Sequence, residues 1–137
     1  MKKIVLIMVG LILLSLPLAT ACSKDVAVKA YLNQQIRLPV GQTVVINGEG
    51  LSLKFEEVTA DSRCPTGVQC IWVGEAKCQT TVTLKEKSSP LVLTVNGGSD
   101  SPTVFEGYTF KVNVEPYPQA GTTIDKASYV MVLTVTK

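Results

Sequence analysis

The side chains with the widest chemical reach here are four cysteines, Cys22, Cys64, Cys70 and Cys78, in a chain of 137 residues without histidine. Such a set is open to disulfide bonding, thiol redox exchange or thiolate ligation of a soft metal. Redox pairs favour C-x-x-C spacing near a helix start, where the thiol pKa falls. Cys64 and Cys70 lack that spacing, and no helical period surrounds them. Three thiolates could hold zinc or copper(I), but with no histidine the spacings match no zinc signature. A Cys64–Cys70 disulfide is therefore expected, with a redox or metal pair as the alternative. The absence of histidine also removes ordinary Ser-His and Cys-His nucleophile systems. Glu56 and Glu57 are strand neighbours, expected on opposite faces and so not as a paired-carboxylate site. No phosphate-cradling glycine loop or nucleotide fingerprint is present. The expectation is a protein that is not an enzyme and that carries no metal or cofactor.

Residues 61–76 hold the densest group of special side chains. Pro65 fixes φ and Gly67 permits unusual φ, so the chain between the two cysteines can turn tightly. A bridge there closes a ring of seven residues, which the chain-entropy account values at roughly 2 kcal/mol. Asp61 and Arg63 either pair with each other or present charge to a partner. Trp72 is expected as a core anchor beside the disulfide, with a ligand platform as the alternative. Glu75 reads as a solvated strand-edge charge. Asp61, Arg63, Trp72 and Glu75 are the candidate partner-binding residues. Cys78 lies in phase with Ala76, Val82 and Leu84, which suits a buried unpaired thiol filling core space. Pairing with Cys70 across a bend, or with a second molecule, are its alternatives.

The N-terminus bears on the redox setting of these thiols. Lys2 and Lys3 precede an apolar run over 4–14, Pro17 breaks it, and Ala19, Thr20 and Ala21 lead to Cys22. Basic start, short apolar centre and small-residue exit are the parts of a secretory signal peptide. The run is shorter than the ~20 residues a membrane span needs. Residues 1–21 are thus expected to be a leader, and disulfides are expected in the compartment beyond.

Leu18-Ala19-Thr20-Ala21-Cys22 resembles the lipobox of bacterial lipoproteins, with Leu four rather than three residues before the Cys. The resemblance implies cleavage before Cys22, thioether diacylation of its sulfur (palmitate-type chains) and acylation of its amine. Two or more chains hold a protein stably at a bilayer. Residues 61–76 resemble a family of small uncharacterised secreted bacterial proteins, many of them lipoproteins. These carry an Asp-Ser-Arg-Cys-Pro start, a second Cys, and Trp, Gly and Ala at the spacing of Trp72, Gly74 and Ala76. The resemblance runs from Leu38-Pro39-Val40-Gly41-Gln42 to Pro116-Tyr117-Pro118 and the last strand. It implies a fold and a location, and no activity.

The elements that must position these residues read as strands of period two. Segments 34–38 and 43–46 are followed by Asn47-Gly48-Glu49-Gly50, a hairpin signal. Leu51, Leu53 and Phe55 alternate next. Ala76, Cys78, Val82 and Leu84 share a face with Thr80 in phase. Leu91, Leu93 and Val95 alternate before Asn96-Gly97-Gly98. Tyr108, Phe110, Val112 and Val114 form another set. Tyr129, Met131, Leu133 and Val135 form the last, and Val130 and Val132 make that strand's second face apolar, as suits a central or doubly covered strand. Ser88-Ser89-Pro90 and Ser99-Asp100-Ser101-Pro102 read as loops. About seven or eight such strands predict an all-β fold, an antiparallel β-sandwich of immunoglobulin-like architecture, with a small β-barrel as the alternative. The expected divisions are leader 1–21, tether 22–30 and one β domain over 31–137.

Without Lys2 and Lys3 the remaining 11 basic residues balance 11 acidic ones, so nothing marks nucleic-acid binding. The sequence favours a non-catalytic lipoprotein of the cell envelope, lipid-anchored to a membrane, with the outer membrane favoured and its face left open. It would bind an envelope protein or cell-wall component through the stapled loop 61–72. The alternatives are a protease-inhibitor-like loop presenter, using 66–69, and a small-ligand or metal carrier using the loop, Trp72 and Tyr117.

Overall fold

A computed structural model describes residues 27–97 and 101–137. The expected leader, Cys22 and the tether up to residue 26 lie outside the described residues, as do Gly98, Ser99 and Asp100.

Nine strands are present among the described residues: β1 Val28–Ala30, β2 Gln35–Pro39, β3 Thr43–Ile46, β4 Leu51–Asp61, β5 Glu75–Leu84, β6 Lys87–Asn96, β7 Ser101–Phe105, β8 Tyr108–Glu115 and β9 Val130–Thr136. They form a five-stranded sheet in the order β1-β3-β4-β5-β6 and a four-stranded sheet in the order β2-β9-β8-β7. The sheets do not close into a barrel, so the sandwich is the architecture. All pairings are antiparallel except β1 with β3, which is parallel.

The core follows from the alternation. Leu51, Leu53 and Phe55 of β4, and Ala76, Cys78, Thr80 and Val82 of β5, point inward from one sheet. Phe110, Val112 and Val114 of β8, and Met131, Leu133 and Val135 of β9, face them from the other. Burying such faces is the principal stabilising term. The Thr80 hydroxyl is buried without loss because it donates to the Leu91 carbonyl at 2.7 Å. Strand β9 lies between β2 and β8, which accounts for its second apolar face: Val130 and Val132 are half-buried.

Several expectations are corrected. Residues 28–30 belong to a strand rather than the tether: they pair with 44–46 and bury Ala30. Ser88-Ser89-Pro90 is strand, not loop, with Pro90 opposite Thr81. Strand β6 is an edge, where proline's missing N–H leaves no ladder bond unmade; Pro39 on β2 and Pro102 on β7 use the same licence. Ser101 and Pro102, expected in a loop, begin strand β7, which pairs with β8; β1 and β7 raise the strand count to nine. Glu56 and Glu57 do not point to opposite faces, because β4 shifts register between Phe55 and Glu57. The bulge leaves both outside the core. Glu56 is held by Lys54 at 2.9 Å and accepts from Thr81 at 3.0 Å, while Glu57 is exposed opposite Gln79.

Candidate functional site

The segment joining β4 to β5 carries the special residues, and it continues their ladder before opening into a loop. The Ser62 N–H donates to the Glu75 carbonyl at 2.8 Å, and the Cys64 N–H to the Val73 carbonyl at 2.9 Å. The Ser62 hydroxyl donates to the Glu75 carbonyl at 3.1 Å and accepts from the Glu75 N–H at 3.2 Å. Gly74 makes this crossing possible. Its φ is +70°, and a Cβ there would lie 1.8 Å from the Ser62 carbonyl oxygen. Only glycine permits both the backbone sign and the approach.

Two devices fix the loop above this crossing. Cys64 and Cys70 form the expected disulfide, with Cα atoms 5.9 Å apart. Thr66 then pairs with Gln119 in an isolated parallel bridge: its N–H donates to the Pro118 carbonyl at 3.0 Å, and its carbonyl accepts from the Ala120 N–H at 3.2 Å.

Beneath the loop lies a buried ion pair. The Arg63 guanidinium is fully buried and Asp61 is 9% exposed. Nε donates to Asp61 Oδ1 at 2.8 Å and Nη2 to Oδ2 at 2.6 Å, a bidentate match. Nη1 donates to the Val114 carbonyl at 2.6 Å and Nη2 also to the Pro116 carbonyl at 3.0 Å. The Tyr117 ring lies 5.0 Å from the guanidinium carbon, close enough for a cation–π contact. Asp61 also accepts from the Arg63 N–H at 3.2 Å and from the Tyr129 hydroxyl at 3.0 Å. Burial by itself would raise the Asp61 pKa, but the Arg63 guanidinium and these donors outweigh it and hold the carboxyl below its ordinary range. Burial, followed by the bond to Asp61, pushes the Tyr129 hydroxyl up to about 12.

Of the two readings of Asp61 and Arg63, the internal pair is therefore the one the geometry gives, and Arg63 offers no charge to the outside. Tyr117 is half-buried, with its ring against the Arg63 guanidinium. Glu75 is half-buried and lies 3.2 Å from Lys77. Cys78 is a free, buried thiol, as its phase predicts, and burial pushes it up to about 12.

Trp72 is the clear correction. It is 63% exposed rather than anchored in the core. The large buried side chain of this segment is Arg63, with the Tyr117 ring 5.0 Å from its guanidinium carbon. Trp72 is not alone: Val68 is 50% exposed, Val73 66%, and Ile71 projects completely. These four side chains sit on a stretch, 64–73, with no charged residue. Exposed apolar clusters of this kind mark contact surfaces. Val68, Ile71 and Val73 are the residues that reading the sequence missed. Their signal was present in that uncharged run, which no alternation explains.

Beside the loop, an open cleft of about 390 Å³ runs between the end of β4 and residues 118–126, lined in part by Asp61, Pro65, Ile124 and Tyr129. Among the described residues no three His, Cys, Asp or Glu side chains come together as metal ligands would. Compared with known protein families, with curated proteins and with solved structures, the chain shows no match.

Proposed function

We propose that this protein is a lipid-anchored binding domain of the bacterial cell envelope, non-catalytic, whose contact surface is the tip of the disulfide-stapled loop. The observation that carries the reading is the outward display of Val68, Ile71, Trp72 and Val73 on a backbone fixed at its base by Cys64–Cys70 and by the Thr66–Gln119 bridge. A surface already held in one shape binds with less ordering cost than a mobile loop. The export pattern over 1–21 and the lipobox-like approach to Cys22 support the location, and so does the likeness of residues 61–76 to small secreted bacterial proteins.

The test is site-specific photocrosslinking in native envelopes. A probe at Ile71 is expected to give discrete adducts. A probe at Glu106, exposed in the β7–β8 turn at the far end of the sandwich, is expected to give none. Identical adduct patterns from the two positions would refute the assignment of the surface. Mass spectrometry of the protein extracted from membranes checks the anchor: an unmodified Cys22 would refute that part alone.

A further inference from the structure

We infer that the loop tip seats in the headgroup–acyl boundary of the same bilayer that carries the Cys22 anchor, so that the domain is held at two points. This rests on the proposed anchor and names the partner of the loop surface.

Topology supplies the first argument. Strand β4 runs toward the loop, β3 runs back from it, and β1 is parallel to β3. The chain therefore enters β1 from the loop end of the sandwich. Val28 lies level with Val44, which pairs with Leu53, eight residues before Asp61. Two bulges shorten that stretch, which β5 covers in six residues from Val82 to Ala76; at strand rise the loop base lies about 20 Å beyond Val28, toward the end at which the chain enters β1. Cys22 precedes Val28 by six residues, which span at most about 20 Å. An acylated Cys22 thus cannot lie beyond the loop, and a tether drawn straight from the membrane brings the loop end to the lipid surface.

Chemistry supplies the second argument. The tip offers apolar side chains and an indole, whose polar N–H and apolar body suit a membrane–water boundary. No charge lies between 64 and 73. The nearest charges are paired, Asp61 with Arg63 and the part-exposed Glu75 with Lys77, so seating the tip desolvates no unpaired ion. A first anchor makes the second contact effectively intramolecular, which allows a small apolar tip to bind.

The sole tryptophan of the chain is Trp72, so its fluorescence reports the tip directly. The acylated mature protein, extracted from membranes, would be reconstituted in vesicles of phosphatidylethanolamine and phosphatidylglycerol. Lipids brominated on their acyl chains are expected to quench Trp72 strongly, and aqueous iodide only weakly. In a Val68→Ser, Ile71→Ser, Val73→Ser variant with an unchanged melting curve, lipid quenching should fall several-fold and iodide quenching should rise. Protein that floats with the vesicles while iodide quenches Trp72 freely would overturn the inference and leave the anchor standing. Protein that carries no acyl mass and does not float would overturn both. Shielding of Trp72 in native envelopes, but not in pure lipid, would overturn it in favour of a protein partner.

Discussion

Arg63 is the residue on which the loop end depends. Its side chain bonds Asp61 twice and two β8-end carbonyls once each, and no buried side-chain polar atom among the described residues lacks a partner. Buried pairs of this kind are weak evidence for net stabilisation, but removing one partner strands a charge and costs about 3–5 kcal/mol. Asp61→Asn is therefore expected to lower stability by about 3 kcal/mol at neutral pH. The pH dependence has a definite sign. The folded pKa of Asp61 is depressed below its ordinary value of 3.8. Its contribution is complete above that value and is lost as pH falls through the lower, folded one. The gap between wild type and Asp61→Asn in urea midpoint should therefore narrow as pH drops below about 4. A gap that stays constant down to pH 2 would show that the charge on Asp61 does not hold the loop.

At the scale of elements, the β4–β5 connection is a strand ladder that continues past Asp61, a glycine crossing at Gly74 and a small disulfide ring. The ring's neighbour in sequence, Cys78, is chemically separate from it. Its thiol is buried on the core face of β5 and pushed up to about 12, so it stays neutral and unreactive in the folded state. Reduction of Cys64–Cys70 should lower stability by about 2 kcal/mol. Maleimide labelling after mild reduction is then expected at two thiols, Cys64 and Cys70, with Cys78 modified only in denaturant. Labelling of Cys78 at a similar rate without denaturant would contradict its place in the core. Alternation made Cys78 legible in advance, because a strand's period of two assigns its face directly. Alternation could not place Trp72: the period stops where the ladder opens, and an indole beside a disulfide suits a core or a surface equally. The buried side chain of this segment is instead Arg63, which reaches Val114 and Pro116 across some fifty positions of sequence, a distance no local pattern spans.

For the whole molecule, β1 decides how the domain is joined to whatever precedes it. It is three residues long, yet it pairs with β3 in parallel, buries Ala30, and its Ala30 carbonyl accepts the Asn47 N–H at 2.9 Å. Replacing residues 28–30 with Gly-Ser-Gly should reduce stability by about 2 kcal/mol, through lost ladder bonds and lost burial. It should also expose β3 as a new edge, which favours association between copies. Chemical denaturation checks the first effect and light scattering the second; an unchanged midpoint would return these residues to the tether. Under the proposed anchor the same replacement lengthens the slack between lipid and domain, and so would weaken contact of the loop tip with the bilayer.

By itself the sequence determined the all-β sandwich, the inward faces of its main strands, the Asn47–Gly50 hairpin, the doubly apolar β9 and the Cys64–Cys70 bridge. Each of these follows from residues near one another in the chain: alternation, turn chemistry, or two cysteines around a proline and a glycine. Tertiary structure alone decided the parallel β1–β3 pairing, the edge positions that admit Pro39, Pro90 and Pro102 into strands, and the register shift that moves Glu57 to the outer face. It also decided the fate of the central motif. Asp61 and Arg63 turn inward as a pair bonded to the end of β8, while Val68, Ile71, Trp72 and Val73 turn outward, the reverse of what their polarity by itself would suggest.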